Sequence, residues 1–585
     1  MKRPADDVLL SRCEAFLTMS KALQQKESLE PRIALIASLY NRRKNGSDSD
    51  KEADGSVIHV NKVNPITQRL VASLYGRRPD IIVKPRAPQW EQNAQKAELY
   101  LNWEARTEDH ARELTLTLTA ASMFPYGVVK LGVGDKGRPN LTYTHPISFR
   151  ADPTRESFEP ERGRWCAFRY KRSLSAMRAS GLYREEVLDE LAATQMKLNG
   201  SEWSEETTPI WLWEHYLYEQ VEGKRALLIV VSTEEFDTPI RVDRFSHVAG
   251  LPCRVLQFLP SFDQHFPIGP VELWLDQQRE LNALRSNQLI HSDRSQRKLL
   301  YKSGDFDESE IAKFESTEPL VAIETKGNPR EAAAYIEQAN LNADVYQAEE
   351  RILRDIQESS AVGDMHLGGS PNIGSRSATE ASIMESSLRL SSSLRQDTFE
   401  RFLQSVYRGF LNLAQERLDE DIQVKVMDGQ WLALGKDEIM CDADVDINVS
   451  STMPSDRKTE WEQGVELVTT VFGNPVMAPL INPTKALLYL LSKRPDIKNA
   501  MDWLNPGVMN PAGMVPPGMP PGPPGMAPPG MPGMGPGMPP GMPPGAPPGP
   551  PMDLNALLNS LAMEGTAEGA SPLSMAGMFR KAARG

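Results

Sequence analysis

Two long helical patterns bracket a short insert between residues 268 and 361, and this arrangement limits the fold more than any other feature of the chain. The first opens at Pro270-Val-Glu-Leu-Trp-Leu-Asp-Gln-Gln-Arg-Glu-Leu-Asn and runs to about Arg297; the second runs from near Leu341 to near Ala361. At 1.5 Å per residue the first would reach roughly 40 Å, long for one helix inside a compact domain. Both read as amphipathic, so each needs a partner, and two rods joined by a compact tip suggest an antiparallel pair. Copies of such a pair repeated round an axis make a tube. That layout is mechanical rather than catalytic.

The chain has 585 residues, enough for three or four domains once a low-complexity tail is set aside. Its hydrophobic fraction of 40% and charged fraction of 24% are those of a soluble globular protein. No apolar run reaches the roughly 18 residues of a membrane span, and Met1-Lys-Arg-Pro-Ala-Asp-Asp lacks the apolar stretch of a signal peptide. The expectation is no membrane association. Cys13, Cys166, Cys253 and Cys441 are scattered without a Cys-x-x-Cys pair, which reads as reduced thiols. A net charge of −13 argues against gripping DNA by bulk electrostatics. An acidic protein that handles DNA is better suited to letting it slide.

In chain order, residues 6–44 read as helical, with Val8, Phe16, Leu23, Ile33, Ile36 and Tyr40 at three-to-four spacing. Asn45 to Gly55 is loop by composition, Asn64-Pro65 opens a helix that stops at Gly76, and Ile81-Ile-Val-Lys-Pro is a short strand. A helical region covers Gln89 to Met123. Strands follow at Gly127–Val133, Leu141–His145 and Arg164–Lys171, then a helix from Ser175 to Leu198. Ile210–Tyr218 and Ala226–Val231 form hairpin strands across Glu222-Gly-Lys. The first half is thus mixed α+β. After the paired helices comes the Gly-rich stretch Gly363-Asp-Met-His-Leu-Gly-Gly-Ser-Pro-Asn-Ile-Gly-Ser, a loop that by its length and position is either functional or disordered. A long helix then runs from Thr379 to Asp419, followed by strands at Ile422–Val426 and Val445–Val449 and helices at Ser455–Phe472 and Pro483–Lys493. From Pro506 to Pro551 the chain is almost only Pro, Gly and Met. Its glycines keep no period of three, so it reads as extended linker, not collagen. Beyond it, Leu554, Leu557, Leu558 and Leu561 fit one short amphipathic helix, and Met578 to Arg584 is basic and apolar.

A search for chemistry returns little. There is no phosphate loop of the Gly-x-x-x-x-Gly-Lys-Ser/Thr type, and no His pair at metal-ligand spacing. Gly132-Val-Gly-Asp-Lys-Gly lies between strands and reads as a hairpin turn. Asp442, Asp444, Asp446 and Asn448 share one strand face at period two. That face reads as a solvated acidic edge, with an opportunistic cation site the alternative; Ile447 and Met453 stand where a calcium loop needs Gly and an acid. Arg285, Arg294, Arg297 and Lys298 gather late in the first long helix. Either they pair with the helix C-terminal dipole and nearby acids, or symmetry multiplies them into a positive ring. Asp305, Asp307, Glu308 and Glu310 read as an acidic helix start in the insert. No catalytic, cofactor-binding or metal-binding residue is assigned, and the chain is not expected to be an enzyme.

The order of these elements resembles the portal proteins of tailed bacteriophages, particularly of the short-tailed type. The likeness spans about residues 30 to 500. Asn64-Pro-Ile-Thr-Gln-Arg-Leu through Ile81, Phe124-Pro-Tyr-Gly-Val-Val-Lys, His145-Pro-Ile-Ser-Phe-Arg-Ala-Asp-Pro, Gly269 to Asn282 and Arg376-Ser-Ala-Thr-Glu380 carry it. The resemblance implies a predominantly helical α+β subunit, elongated and multidomain (wing, stem, clip, crown), in a ring that is most often a dodecamer. By position, residues 1–265 correspond to the wing, 266–298 and 339–361 to two stem helices, and 299–338 to the clip. Residues 362–378 correspond to a tunnel loop and 379–505 to the long helix with wing and crown completion; 506–551 remain linker and 552–585 a C-terminal tail.

The implied function is a conduit for double-stranded DNA at a capsid vertex, used in packaging and ejection. Implied partners are the terminase large subunit, a tail adaptor, and the major capsid and scaffolding proteins, with the host cytoplasm as the place of assembly and the virion as the destination. Gly363, His366, Gly368, Gly369, Asn372, Gly374 and Arg376 would face the DNA in the tunnel loop. Arg285, Arg294, Arg297 and Lys298 would form the stem's basic cluster, and Asp305, Asp307, Glu308 and Glu310 the clip's partner surface. A nucleic-acid enzyme (packaging motor or nuclease) is the alternative from another class, and a different capsid or tail adaptor is the third. The first needs a phosphate loop or convergent carboxylates, and adaptors are usually much shorter.

Overall fold

The computed structural model describes residues 5–41, 58–294, 299–335, 343–360, 378–425, 431–447 and 457–473, with residues 486 and 490; short stretches at 108–109, 135–136, 200–203, 223, 235–237, 246–249, 303, 315–322 and 330–332 lie outside it. The chain divides into two units, one of residues 1–426 and 431–454, the other of residues 427–430 and 455–585.

Alternation of side chains builds the main sheet of the first unit. Phe149–Ala151, Trp165–Ser173, Pro209–Val221, Lys224–Thr233 and Arg241–Arg244 form a five-stranded antiparallel meander in sequence order. Trp165, Ala167, Trp213, Leu217, Leu228 and Val230 point to one face, where they pack on Leu9, Leu10 and Cys13 of the helix Asp6–Lys26. The Phe16 ring stacks on Trp165 there at 5.0 Å. Their neighbours Cys166, Phe168, Leu212, Tyr216, Leu227 and Ile229 point to the opposite face and join the larger core. Period two along each strand thus gives two buried faces. The region that reads helical over 6–44 holds two helices, Asp6–Lys26 and Leu29–Asn41, with a turn at Ser28 of φ 52°. The helical region 89–123 is likewise two helices, Glu91–Thr107 and His110–Met123, and the one read over 175–198 is Leu174–Ser180 and Glu185–Asn199.

A second core has the long helix Ala378–Arg417 as its spine. Phe399, Phe402, Leu403, Val406, Tyr407 and Phe410 pack there with Leu70 and Leu74 of Val63–Leu74 and with Val129 and Leu131 of the strand Gly127–Val133. That strand is central in a three-stranded sheet, flanked by Pro139–Thr144 and Cys253–Leu256. The Gly-rich turn joining the first two is a hairpin turn, as its setting between strands implies. Gly137 adopts a φ of 73° beside the Arg417 carbonyl, where any side chain would collide. Ile81–Pro85 pairs antiparallel with Ala443–Ile447, tying the early chain to its far end, and Ile422–Lys425 pairs with Trp431–Leu434. The first unit is therefore mixed helix and strand, as read.

In the second unit the helix Arg457–Gly473 is described, with Val468 buried against Leu490 and flanked by Trp461, Val465, Phe472 and Ala486. The helix expected at Pro483–Lys493 falls mostly outside the described residues, and the linker and tail lie wholly outside them.

Candidate functional site

The paired helices form over the described residues. Pro270–Trp274 is a tight 3-10 turn, and the α-helix proper is Leu275–Arg294, 20 residues or roughly 30 Å. Pro270 supplies the fixed φ of a helix start. The Glu272 carboxylate accepts from the Gly269 N–H at 3.0 Å and from Arg32 at 2.5 and 2.9 Å, which pins the first turn to the N-terminal helices. Residues 295–298 lie outside the described set. The second helix is Ala343–Ser360. Its Ile352 and Ile356 are buried in one cluster with Val271, Trp274 and Leu281. Midway, Arg285 pairs with Glu349 at 2.5 Å.

The first helix is not the amphipathic rod expected. Gln278, Asn282 and Ser286, at i, i+4 and i+8, form a polar stripe that zips the irregular segment Ile58–Lys62 to the helix. Gln278 accepts from Lys62 N at 3.3 Å and donates to the Val60 carbonyl at 2.6 Å. Asn282 accepts from Val60 N at 2.9 Å, and Ser286 Oγ from Ile58 N at 2.9 Å. Backbone groups of a segment outside helix and sheet are satisfied by side chains instead. A search for apolar periodicity passes over such a stripe; its signal is the three polar residues at helical spacing.

The insert is a small folded tip. Leu299–Tyr301 and Ala333–Tyr335 pair antiparallel at its base, with Leu300 opposite Ala334. The short helix Glu308–Phe314 follows. Residues 324–327 are stapled onto its start: Lys326 N donates to the Asp305 carbonyl at 2.9 Å, Lys326 Nζ pairs with Asp307 at 2.5 Å, and Glu324 N donates to Glu310 at 3.0 Å. Glu310 also binds Lys313 at 2.6 Å. The hydrogen bonds from Lys313 and from the Glu324 amide hold the Glu310 carboxyl below its ordinary range, and Asp307 raises Lys326. Two of the four acids are thus spent on internal staples. Leu300 (59% exposed) and Tyr301 (47%) add an apolar element beside them.

Of the basic cluster, the structure describes the side chain of Arg285 alone. It is half-exposed and paired with Glu349 across the helix pair. Arg294 is the last described residue of its helix, and Arg297 and Lys298 lie outside the described residues. Gly363, His366, Gly368, Gly369, Asn372, Gly374 and Arg376 also lie outside them, within 361–377. Near the start of that span, Arg395 of the long helix donates to the Ser360 carbonyl at 3.3 and 3.4 Å, and burial lowers its guanidinium from the ordinary value. This contact caps the second paired helix with a cation, where the helix dipole favours one.

The acidic strand face is exposed to solvent, as read, and its carboxylates also form a charge-matched ladder. Lys84 reaches Asp446 at 2.7 Å, Arg86 reaches Asp444 at 2.8 Å and Asp442 at 3.2 Å, and Arg408 of the long helix also binds Asp444. Lys84 and Arg86 stand on and just after the partner strand, so the register places opposite charges together. Asn448 lies outside the described residues. Among the described residues no group of three or more His, Cys, Asp or Glu could hold a metal ion, and no helix is long and apolar enough to cross a membrane. The described Cys13, Cys166, Cys253 and Cys441 are all free and buried.

Residues 259–532, just under half the chain, match the family model described as Phage P22-like portal protein. The match covers both paired helices, the tip and the long helix, and it extends into the Pro/Gly/Met-rich stretch. A comparison with the curated proteins finds no match. Among solved structures, a chain of "Neck of empty GTA particle computed with C6 symmetry" is similar with a TM-score of 0.35 and 11% identity, over 73% of this chain and 90% of that chain.

Proposed function

We propose that this chain, which over residues 259–532 matches the P22-like portal family model, is a structural ring-forming portal at a capsid vertex, the conduit through which double-stranded DNA enters and leaves. The observation that carries the reading is the helix–tip–helix unit inside the family match: two packed rods with a separately stapled tip, built for stacking side by side. Head-to-tail contacts between identical copies close into a ring when the rotation permits. The reading assigns the chain no catalytic step.

In this reading residues 266–298 and 339–361 are the stem, 299–338 the clip, and 362–378 the tunnel loop. Residues 1–265 form the wing, 379–505 complete wing and crown, and the ring is a dodecamer. The tip, with its acids and exposed Leu300 and Tyr301, is the docking surface for the terminase large subunit and then a tail adaptor. Major capsid and scaffolding proteins meet the wing during assembly in the host cytoplasm. His366, Asn372 and Arg376 make transient phosphate contacts on a Gly-rich loop whose backbone tolerates many states. The chain's net charge of −13 limits the salt-dependent grip that each phosphate neutralised by Lys or Arg would add.

Deleting Gly368–Gly374 tests the assignment of the loop. Heads assembled with this variant are expected to contain rings but to fill with less DNA, or to lose it after filling. Unchanged filling and retention would remove the loop from the DNA path.

A further inference from the structure

Away from the paired helices, a cleft of about 910 Å³ opens between the three-stranded and five-stranded sheets, beside the end of the long helix. Its size falls in the range of small-molecule sites. Six cations line it: Lys130, Arg169, Arg172, Arg241, Arg244 and Arg417. Glu214 is the single carboxylate among its lining residues.

That carboxylate is already committed. Glu214 is bound by Lys130 and accepts from Tyr216 Oη at 2.8 Å. Lys130 in turn sits over the rings of Phe168, Tyr170 and Tyr216, 5.4 to 5.8 Å from their centroids. Arg169 pairs with Glu234, Arg241 with Asp243, and Arg244 at 3.5 Å with Glu222. Arg172 differs. Its guanidinium donates to Tyr183 Oη at 3.1 Å and lies against that ring, and among the described residues it has no carboxylate partner. Tyr183 Oη is 3.2 Å from Tyr170 Oη, so an arginine fork and two phenols converge on one wall of the cleft.

We infer that this cleft binds a phosphate-bearing anion, with Arg172 as its principal contact and Arg241 and Arg244 as supporting charges. A guanidinium fork matches the paired oxygens of a phosphate, and the one phenol hydrogen not used between Tyr170 and Tyr183 supplies a further donor. The inference stands on the cleft alone and does not depend on the portal reading.

Titration calorimetry of the full-length protein with pyrophosphate at low salt tests it. Saturable binding, one site per chain and weakened by added salt, is expected. Arg172→Ala should weaken it about tenfold or more, the scale of a lost charge-assisted hydrogen bond. Arg172→Lys should fall between, because an ammonium lacks the fork. Arg244→Ala, at a side chain more than half exposed, gives a second variant whose folding is not in question, and Arg155→Ala, an exposed residue away from the cleft, should leave binding intact. Absence of binding, equal binding by Arg172→Ala and Arg244→Ala in folded protein, or equal competition by glutamate would each overturn the assignment. So would loss of oligomers in Arg172→Ala together with no pyrophosphate binding by wild type, which would make the cleft a joint for an acidic segment of a neighbouring copy.

Discussion

Replacing Gln278 by Leu removes the centre of the polar zip while keeping the side chain's approximate bulk. Gln278 is only 1% exposed. Its carboxamide satisfies the Val60 carbonyl at 2.6 Å and the Lys62 amide at 3.3 Å, and also touches Asn282 Oδ1 at 3.1 Å. Leucine strands both backbone groups in a part-buried setting. An unsatisfied group costs about 1–3 kcal/mol, and the longer Lys62 bond belongs at the low end, so the sum is about 2–4 kcal/mol. In a chain of several folding units a single unfolding midpoint does not report this loss cleanly. Hydrogen exchange does, since local opening carries its own free energy. Protection of the amides of residues 58–62 should drop by roughly two orders of magnitude, each tenfold being about 1.4 kcal/mol. The five-stranded sheet should keep its protection. A loss under tenfold at 58–62, or one spread evenly over the sheet, would show that apolar packing rather than the polar stripe holds this segment to the helix.

A double-mutant cycle on Arg285 and Glu349, read by the same exchange method across the helix pair, should give a coupling of about 0.2–1 kcal/mol that shrinks with salt, because Arg285 is half-exposed. Glu214→Gln leaves Lys130 charged among aromatic rings, and hydrogen exchange of the five-stranded sheet should show a loss of about 3–5 kcal/mol in its opening free energy. Burial raises the Glu214 carboxyl, but Lys130, the bonds from Lys130 and Tyr216, and Arg241 outweigh it, and it sits below its ordinary range. Its contribution is therefore present above the unfolded value and lost as pH falls through the depressed one. His215 is pushed down to about 3 by burial. Its folded value lies below its unfolded one, so stability is full above about 6.5 and declines by up to about 1.4 kcal/mol per pH unit toward pH 3. The opening free energy of the five-stranded sheet, followed by hydrogen exchange over a pH series, should vary less for His215→Leu than for wild type; identical slopes would exclude His215 from the acid response.

Much of this architecture was readable from spacing. The second paired helix and the strands at 165–173, 209–221 and 224–233 announce themselves because periods of 3.6 and 2 persist over many residues. Phe149–Ala151, Arg241–Arg244 and Cys253–Leu256 do not, since three or four residues are too few to display alternation; the sheets they join define them. The acidic strand was visible, but its partners were not. Lys84, Arg86 and Arg408 lie far away in sequence, and only the register of Ile81–Pro85 against Ala443–Ile447 and the neighbouring long helix bring them to Asp442, Asp444 and Asp446. In the tip, the acids were legible as a helix start, while the staples of Asp307 to Lys326 and of Glu310 to the Glu324 amide depend on a return of the chain that composition does not encode. The polar stripe of Gln278, Asn282 and Ser286 had the right period with the wrong chemistry for a search tuned to apolar faces.

The central claim is that copies of the helix pair surround a bore. Electron cryomicroscopy of the purified full-length chain tests it most directly. The account predicts closed rings with an axial hole, the helices Leu275–Arg294 and Ala343–Ser360 standing around it and the tips projecting at one end. Monomers, open filaments, or rings in which these helices lie on the outer surface would contradict it.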